Sequence, residues 1–436
     1  MNRYPSYQEI ACDWIGKIPS HWNLMRGRFL FKSKKELNRD LQCENLLSLT
    51  LFGVLNKDYE SSVGLRPENY NTYQIFQKDD MVFKMIDLEN VNTSRVGIVH
   101  EEGIMSPVYL RHEPIKNKID PRFAFWFYYD LYKKEIYNSI GSGVRSSLSS
   151  SDLLEMELPV PPIEEQKLIS RYLDMKTEQI DRLVEKIQRK IELLKKQRTS
   201  LINQYVTKGL DPYVEMKDSG VEWIGKIPKL WNVIKINYLM TTKDGTHDTP
   251  KYVDKNEKSI PLVSSSHFVD GKIDFSNCNH ISFDDYIEIN KRSDVETKDI
   301  IMSMIGSNLG NSAVVGEETK FSIKNVCLFK TSKSSQVSHD FFFFLLKSKC
   351  LFIQIDLNQT GGGQPFLSLD NLRNLKFPFP DLQEQNQICA VIEEKTDNIS
   401  STINNELKRI SLIKEYRKSL ISSVVSGKVC VTGNML

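Results

Sequence analysis

The chain says nearly the same thing twice. Trp14-Ile-Gly-Lys-Ile-Pro19 returns unchanged as Trp223-Ile-Gly-Lys-Ile-Pro228, and each copy is followed three residues later by a second tryptophan, Trp22 or Trp231. A separate set of matches closes each half. Leu148-Ser149 pairs with Leu367-Ser368, Leu158-Pro-Val-Pro161 with Phe377-Pro-Phe-Pro380, and Glu165-Gln166 with Glu384-Gln385, all at one offset of 219. Two pseudo-equivalent halves imply two equivalent jobs done side by side.

At 436 residues the chain exceeds one ordinary core and suits two domains with something between them. Hydrophobic and charged fractions of 40% and 26% belong to a soluble globular protein, and no apolar run approaches a membrane span. The polar start lacks the apolar stretch of a signal peptide, and the seven cysteines show no metal spacing. These features predict a reducing cytoplasm, free thiols and no structural zinc. A net charge of +2 neither demands nor excludes nucleic acid, because a basic face can be balanced by acids elsewhere.

After each Pro-rich turn the pattern becomes helical. Leu173, Ile180, Ile187, Leu194 and Leu201 recur every seven residues, joined by Val184, Ile191 and Tyr205, which predicts a coiled-coil seam. The second copy carries Ile392, Ile399, Ile413 and Leu420, with Ile403, Ile410 and Val424 between them. Glu406 stands where Ile187 stands in the first copy, a polar insertion expected to act as a register device or a locally open contact. At a ~1.5 Å rise per residue, each such helix spans roughly 70 Å, so it is a strut rather than a core helix. The expected division is residues 1–160, a helix over 161–212, residues 213–379, and a second helix with the tail over 380–436. The globular parts mix short β-like runs with aromatic helical stretches and are expected to be α+β. Their interiors diverge: Leu47-Ser-Leu-Thr-Leu-Phe-Gly53 lacks a counterpart in the second half, as does Asp244-Gly-Thr-His247 in the first.

The doubled Trp-Ile-Gly-x-Ile-Pro-x-x-Trp motif, the Leu-Ser…Pro-x-Pro…Glu-Gln closing motif and the two heptad helices together resemble the specificity subunit of type I restriction-modification systems, over essentially the whole chain. Leu47-Ser-Leu-Thr50, Asp79-Asp-Met-Val-Phe83, Gly103-Ile-Met-Ser-Pro-Val-Tyr109, Asp244-Gly-Thr-His-Asp-Thr-Pro250 and Asp299-Ile-Ile-Met-Ser303 look like segments of that family's target-recognition domains. The resemblance implies a non-catalytic reader of double-stranded DNA, with two target-recognition domains in a pseudo-two-fold arrangement separated by long antiparallel coiled-coil helices. It also implies docking of two methyltransferase subunits, to which restriction subunits can be added. No cofactor is expected in this chain; S-adenosylmethionine belongs to the methyltransferase partner, and ATP and Mg²⁺ to the restriction partner. Because the interiors differ, the two half-sites should differ.

The residues themselves offer no phosphate loop, no Gly-rich cofactor turn and no Asn/Asp-Pro-Pro-aromatic methyltransferase motif. Asp381, Glu393 and Lys395 mimic the spacing of a metal-dependent nuclease, but the last two fall on the heptad helix. A self-contained nuclease and a protein-only helical adaptor are the alternative readings. For DNA contact, Lys243, Thr246, His247 and Lys251 place donors within one short segment, able to position on phosphates and read base edges; a solvated turn explains them equally. Arg145 and Ser146, in Gly141-Ser-Gly-Val-Arg-Ser-Ser147, and Gln364, in Thr360-Gly-Gly-Gly-Gln-Pro365, sit at equivalent glycine-rich positions where backbone can approach phosphate. Arg66, Arg95 and Asn311 lie in polar, turn-rich contexts and complete the candidates. The four repeat tryptophans read as packing anchors rather than stacking platforms.

Overall fold

The computed structural model describes residues 3–12, 14–57, 70–88, 94–141, 147–316, 320–359 and 365–435. The chain divides into two compact units, residues 1–188 with 407–436, and residues 189–406. Two long helices, Ile163–Lys208 and Leu382–Val425, each contribute one half to either unit.

In the first unit, the opening motif makes a small antiparallel ladder, Tyr7–Glu9 with Lys17–Pro19. The next strand, Asn23–Arg26, pairs with the Pro-rich strand Glu157–Val160, so the start and end of the domain close on each other. Between them lies a four-stranded antiparallel sheet in the order Phe31–Ser33, Leu110–Pro114, Met81–Phe83 and Val96–Ile98. The aromatic helix Pro121–Lys133 follows, started by Pro121 at its first turn and by Asp120, whose Oδ1 accepts from Phe123 N at 2.9 Å. It buries Phe123, Ala124, Phe127, Tyr128 and Leu131, a stripe at helical spacing.

The second unit repeats the plan. Met216–Asp218 pairs with Lys226–Pro228, and Asn232–Lys235 with Lys376–Phe379. Its four-stranded sheet runs Thr242–Asp244, Val326–Phe329, Ile300–Ser303 and Ser312–Val314, and its aromatic helix is His339–Leu346. The two interiors that share so little sequence therefore share strand order, because buried antiparallel strands require apolar β-formers rather than particular residues.

Several repeated residues have a structural task. Trp22 and Trp231 are each 1% exposed, and their indole N–H groups donate to Glu165 Oε1 at 3.1 Å and Glu384 Oε2 at 3.0 Å. Gln166 accepts from Asp120 N at 2.7 Å and donates to Pro161 O at 2.8 Å; Gln385 accepts from Ser338 N at 2.9 Å and donates to Pro380 O at 3.1 Å. Ser149 and Ser368 cap the short helices Ser150–Glu155 and Leu369–Arg373. Leu148 N and Leu367 N donate at 3.0 Å to Met85 O and Met304 O. Trp22 and Trp231 are anchors between the domain and the helix start.

Both units also bury an acid beside a tight turn. Asp80 and Asp299 are 2% and 0% exposed, each preceded by a residue at φ 71°, Asp79 or Lys298. Asp80 Oδ2 accepts from Arg111 Nε at 2.5 Å, and Asp299 Oδ2 from Lys330 Nζ at 2.7 Å. A buried carboxylate requires such a partner.

Along the first long helix Leu173, Ile180, Ile187 and Ile191 are buried as the heptad predicts, but further on Ile202 and Val206 are buried where Leu201 and Tyr205 were expected. Ile202 and Val206 join the second unit's own core with Ile227, Trp231 and Ile236, so burial there is set by the domain packed on the helix rather than by the heptad seam. In the second unit, Lys190 Nζ meets Glu406 Oε1 at 2.6 Å and Arg198 Nη1 donates to Ser400 Oγ at 3.3 Å, partners that advance in opposite senses along the two helices. In the first unit, Arg417 Nε lies 3.2 Å from Asp181 Oδ1.

Candidate nucleic-acid interface

The second unit assembles a polar cluster around the segment after the edge strand Thr242–Asp244. Gly245 is required there by close approach, since a Cβ would strike the Ile323 carbonyl. Thr246 N donates to Ile323 O at 3.0 Å, and Asn325 N to Thr246 O at 3.1 Å, tying the segment to the turn Lys324-Asn325. Asn325 adopts φ 55°, a left-handed conformation that asparagine tolerates. Asp244 is the organising charge. Arg292 grips it bidentately, Nε at 2.9 Å and Nη2 at 2.7 Å, and His247 Nε2 lies 3.1 Å from the same carboxylate. His247 Nδ1 lies 3.2 Å from Asn325 Oδ1, so both ring nitrogens are engaged and the exposed imidazole is held in one orientation. Lys324 Nζ reaches Thr249 Oγ1 at 2.5 Å.

Of the sequence candidates, Thr246 and His247 come together here, with Lys251 exposed further along the same segment. Lys243 instead points toward Asp294, 3.5 Å away. Asn311 is exposed on a separate turn, where its carbonyl accepts from Ser303 N at 2.8 Å. Arg95 corrects the expectation of a surface reader: it is 1% exposed, and its guanidinium donates to the carbonyls of Ile86 at 2.9 Å and Asp87 at 2.5 Å. It holds a loop from within and has no reach to a base. Arg66, Arg145, Ser146 and Gln364 lie outside the described residues. Arg292, Lys324 and Asn325 escaped the sequence reading. The Lys-Asn turn between two strands was the signal for the last two, whereas nothing local marked Arg292, which arrives from a helix 48 residues away.

The nuclease constellation does not form. Asp381 caps the second long helix, accepting from Glu384 N at 2.8 Å, and Glu393 lies twelve residues along that helix. At ~1.5 Å per residue the two are roughly 18 Å apart along the axis, far beyond one metal ion. Among the described residues no group of three or more His, Cys, Asp or Glu could hold a metal, and no helix is long and apolar enough to cross a membrane.

The model of the type I restriction modification DNA specificity domain matches residues 48–193 and 228–409, covering both interiors and most of both long helices. The chain belongs to this family. Over 426 residues it is 24% identical to the type I restriction enzyme MjaVIII specificity subunit of Methanocaldococcus jannaschii, covering 95% of this chain and 94% of that protein. The EcoBI specificity subunit of Escherichia coli is 23% identical over 76% of this chain and 70% of its own length. Among solved structures, a chain from a study of complex assembly and conformational transition of the type I R-M system aligns with a TM-score of 0.70 at 10% identity, covering 94% of this chain and 99% of that one. The HsdS subunit from Thermoanaerobacter tengcongensis aligns with a TM-score of 0.50 at 12% identity, over 94% and 98%. At such identities the structural likeness speaks for the fold alone: a type I specificity-domain fold of mixed helix and strand in two domains.

Proposed function

We propose that the chain is the DNA sequence-specificity subunit of a type I restriction-modification complex and reads a bipartite, asymmetric target. The observation that carries this is one hydrogen-bonded frame built twice around different interiors, Trp22–Glu165 and Trp231–Glu384 being its corresponding joints. Equal frames supply equal mounting; unequal interiors supply unequal half-sites. Residues 1–160 and 213–379 are the two readers, related by a pseudo-two-fold axis, and the helices of 161–212 and 380–436 form an antiparallel coiled-coil pair between them. The opposite-sense partners Lys190–Glu406 and Arg198–Ser400 support that pairing. Readers so mounted address successive grooves of one duplex, about a helical turn (~34 Å) apart.

The helices dock two methyltransferase subunits, with restriction subunits added to them in the cytoplasm. The chain performs no chemical step itself: S-adenosylmethionine is bound by the methyltransferase, and ATP and Mg²⁺ by the restriction subunit. In the second reader Thr246, His247, Lys251, Lys324 and Asn325 form the DNA-facing cluster, with Lys243 and Asn311 at its margins; in the glycine-rich segments Arg145, Ser146 and Gln364 are proposed contacts, as is Arg66.

The test is base-resolution methylation mapping of cells expressing the neighbouring methyltransferase with and without this chain. A split motif methylated only when the chain is present is expected, and exchange of residues 213–379 for another reader should change one half-site alone. No chain-dependent motif, or a change in both half-sites, overturns the reading.

A further inference from the structure

The two units differ at one hairpin beside the aromatic helix. In the second unit the hairpin Phe268–Val269/Lys272–Ile273 packs on the edge strand Ser312–Val314, and its tip lies down on the helix: a Cβ at Gly271 would collide with the Phe343 ring, and Lys347 Nζ sits 3.8 Å over that ring. In the first unit the corresponding hairpin, Leu47–Thr50/Gly53–Asn56, packs on the equivalent edge strand Val96–Ile98, but its tip stands clear. A groove of about 1630 Å³ opens there, walled by the hairpin, by Phe125 and Tyr129 of the aromatic helix and by the long helices.

The tip is apolar, exposed and stiff. Phe52 is 90% exposed, Leu51 53% and Leu55 46%. Thr50 Oγ1 accepts from Phe52 N and donates to Gly53 O, both at 3.0 Å, while Gly53 takes φ 105°, which only glycine adopts without strain. Leu47, Leu49 and Val54 bury the base of the hairpin at 2%, 1% and 7% exposure. An apolar pair held this rigidly away from any core is presented to something. The charges on the groove walls indicate what. Of the five acids that line the groove, Asp130, Asp174, Glu178 and Asp181 have cationic partners in Lys134, Arg122, Arg182 and Arg417, and Glu185 is the fifth. Arg171, Lys414 and Lys418 line the same groove without an ion pair among the described residues. An apolar finger over surplus cations complements a polyanion with stacked rings.

We propose that Leu51 and Phe52 form a wedge that unstacks a base step of duplex DNA seated along this groove, its phosphates met by Arg171, Lys414 and Lys418. Apolar side chains that enter between base pairs bend the duplex and bring more of it against protein. The inference rests on the proposed specificity role and assigns the first reader a deforming contact that the second lacks.

The experiment uses the complex of this chain with its methyltransferase and duplexes of the mapped target carrying 2-aminopurine at successive steps of the first half-site. Wild type should show raised fluorescence at one step. Phe52→Ala should abolish that rise and weaken binding about tenfold or more, and Phe52→Tyr should restore both. Neutralising Arg171, Lys414 and Lys418 to Gln should lower the slope of log affinity against log salt by roughly 0.9 for each phosphate no longer neutralised. Should Phe52→Ala bind, unstack and methylate as wild type does, the wedge is wrong while the specificity role stands. Loss of methyltransferase association with unchanged DNA affinity of the chain would make the groove a protein-docking surface and equally overturn it. If the wild-type complex shows no sequence-dependent binding, the functional reading fails and the wedge with it.

Discussion

The two units agree in their frame down to single hydrogen bonds and disagree almost everywhere inside it. Leu148 and Leu367 make the same backbone bond to Met85 and Met304, yet the strands those bonds adjoin carry unrelated side chains. The buried acid beside the left-handed turn is neutralised by Arg111 in one unit and by Lys330 in the other. Opposite Met81 stands His112, and opposite Ile300, its positional equivalent, stands Phe329. What repeats is the mounting of each domain on its helix; what varies is what the domain carries. A frame of this kind lets an interior be replaced without disturbing the attachment, which is the modularity that domain exchange would exploit.

The largest expected effect tests whether the frames are equivalent and separate. Trp22→Ala and Trp231→Ala each remove a fully buried indole, Glu384 losing its indole donor while Glu165 keeps Tyr4 and His21, so each should cost about 3–5 kcal/mol. Hydrogen exchange should report the loss within the unit that carries the substitution. Equal deprotection of both units by either variant would show that the two frames fold as one and break the comparison.

A second effect separates the units by pH. Burial among Phe31, Phe83 and Tyr128 pushes the His112 imidazole down to about 4 from an ordinary 6.5. Nε2 lies 2.8 Å from Ser150 Oγ, while Nδ1 is buried without a partner among the described residues. The unfolded chain takes up a proton below about pH 6.5 that the folded chain refuses until about pH 4. Stability from this site is therefore complete above pH 6.5 and falls as pH drops toward 4, by roughly 3 kcal/mol in all. His112→Phe, which installs the residue of the second unit, should flatten that part of the first unit's stability profile, measured by denaturant unfolding between pH 4 and 7. An unchanged slope would mean that another group carries the acid sensitivity.

Much of this frame was legible in the sequence, because identical function demanded identical residues: the tryptophans, the Leu-Ser caps, the Pro-rich strands and the Glu-Gln pair each make a specific bond. The heptads likewise announced the long helices, although the burial of Ile202 in place of Leu201 follows from the second unit's core packing on the helix, which a seven-residue template omits. The interiors were harder. Arg95 looked like a surface reader because polarity and neighbouring turns are visible in a sequence while three inward-facing carbonyls are not. Arg292 joined the His247 cluster only through tertiary contact. Phe52 stands out in the sequence only as part of a segment without a counterpart in the second half, since exposure at a hairpin tip depends on which face the ladder turns inward.

The smallest expected effect concerns Glu406, the acid at a heptad position of the second long helix. Glu406 is 8% exposed and takes Lys190 Nζ at 2.6 Å, so the expected open contact is filled by an ion pair rather than left empty. Replacing a buried charge pair's acid with an apolar residue removes both a desolvation penalty and an attraction. With Lys190 more than half exposed and able to return to water, Glu406→Leu should change stability by no more than about 1 kcal/mol. The frame argues further that register does not depend on this pair. Each helix start is already fixed to its domain by Gln166 or Gln385, which bond the backbone of the Pro-rich turn and of the residue that starts the aromatic helix. Glu406→Leu should therefore leave the spacer length of the methylated motif unchanged. A mixture of spacer lengths in the methylation map would assign register to Glu406 and reduce the duplicated frames to attachment alone.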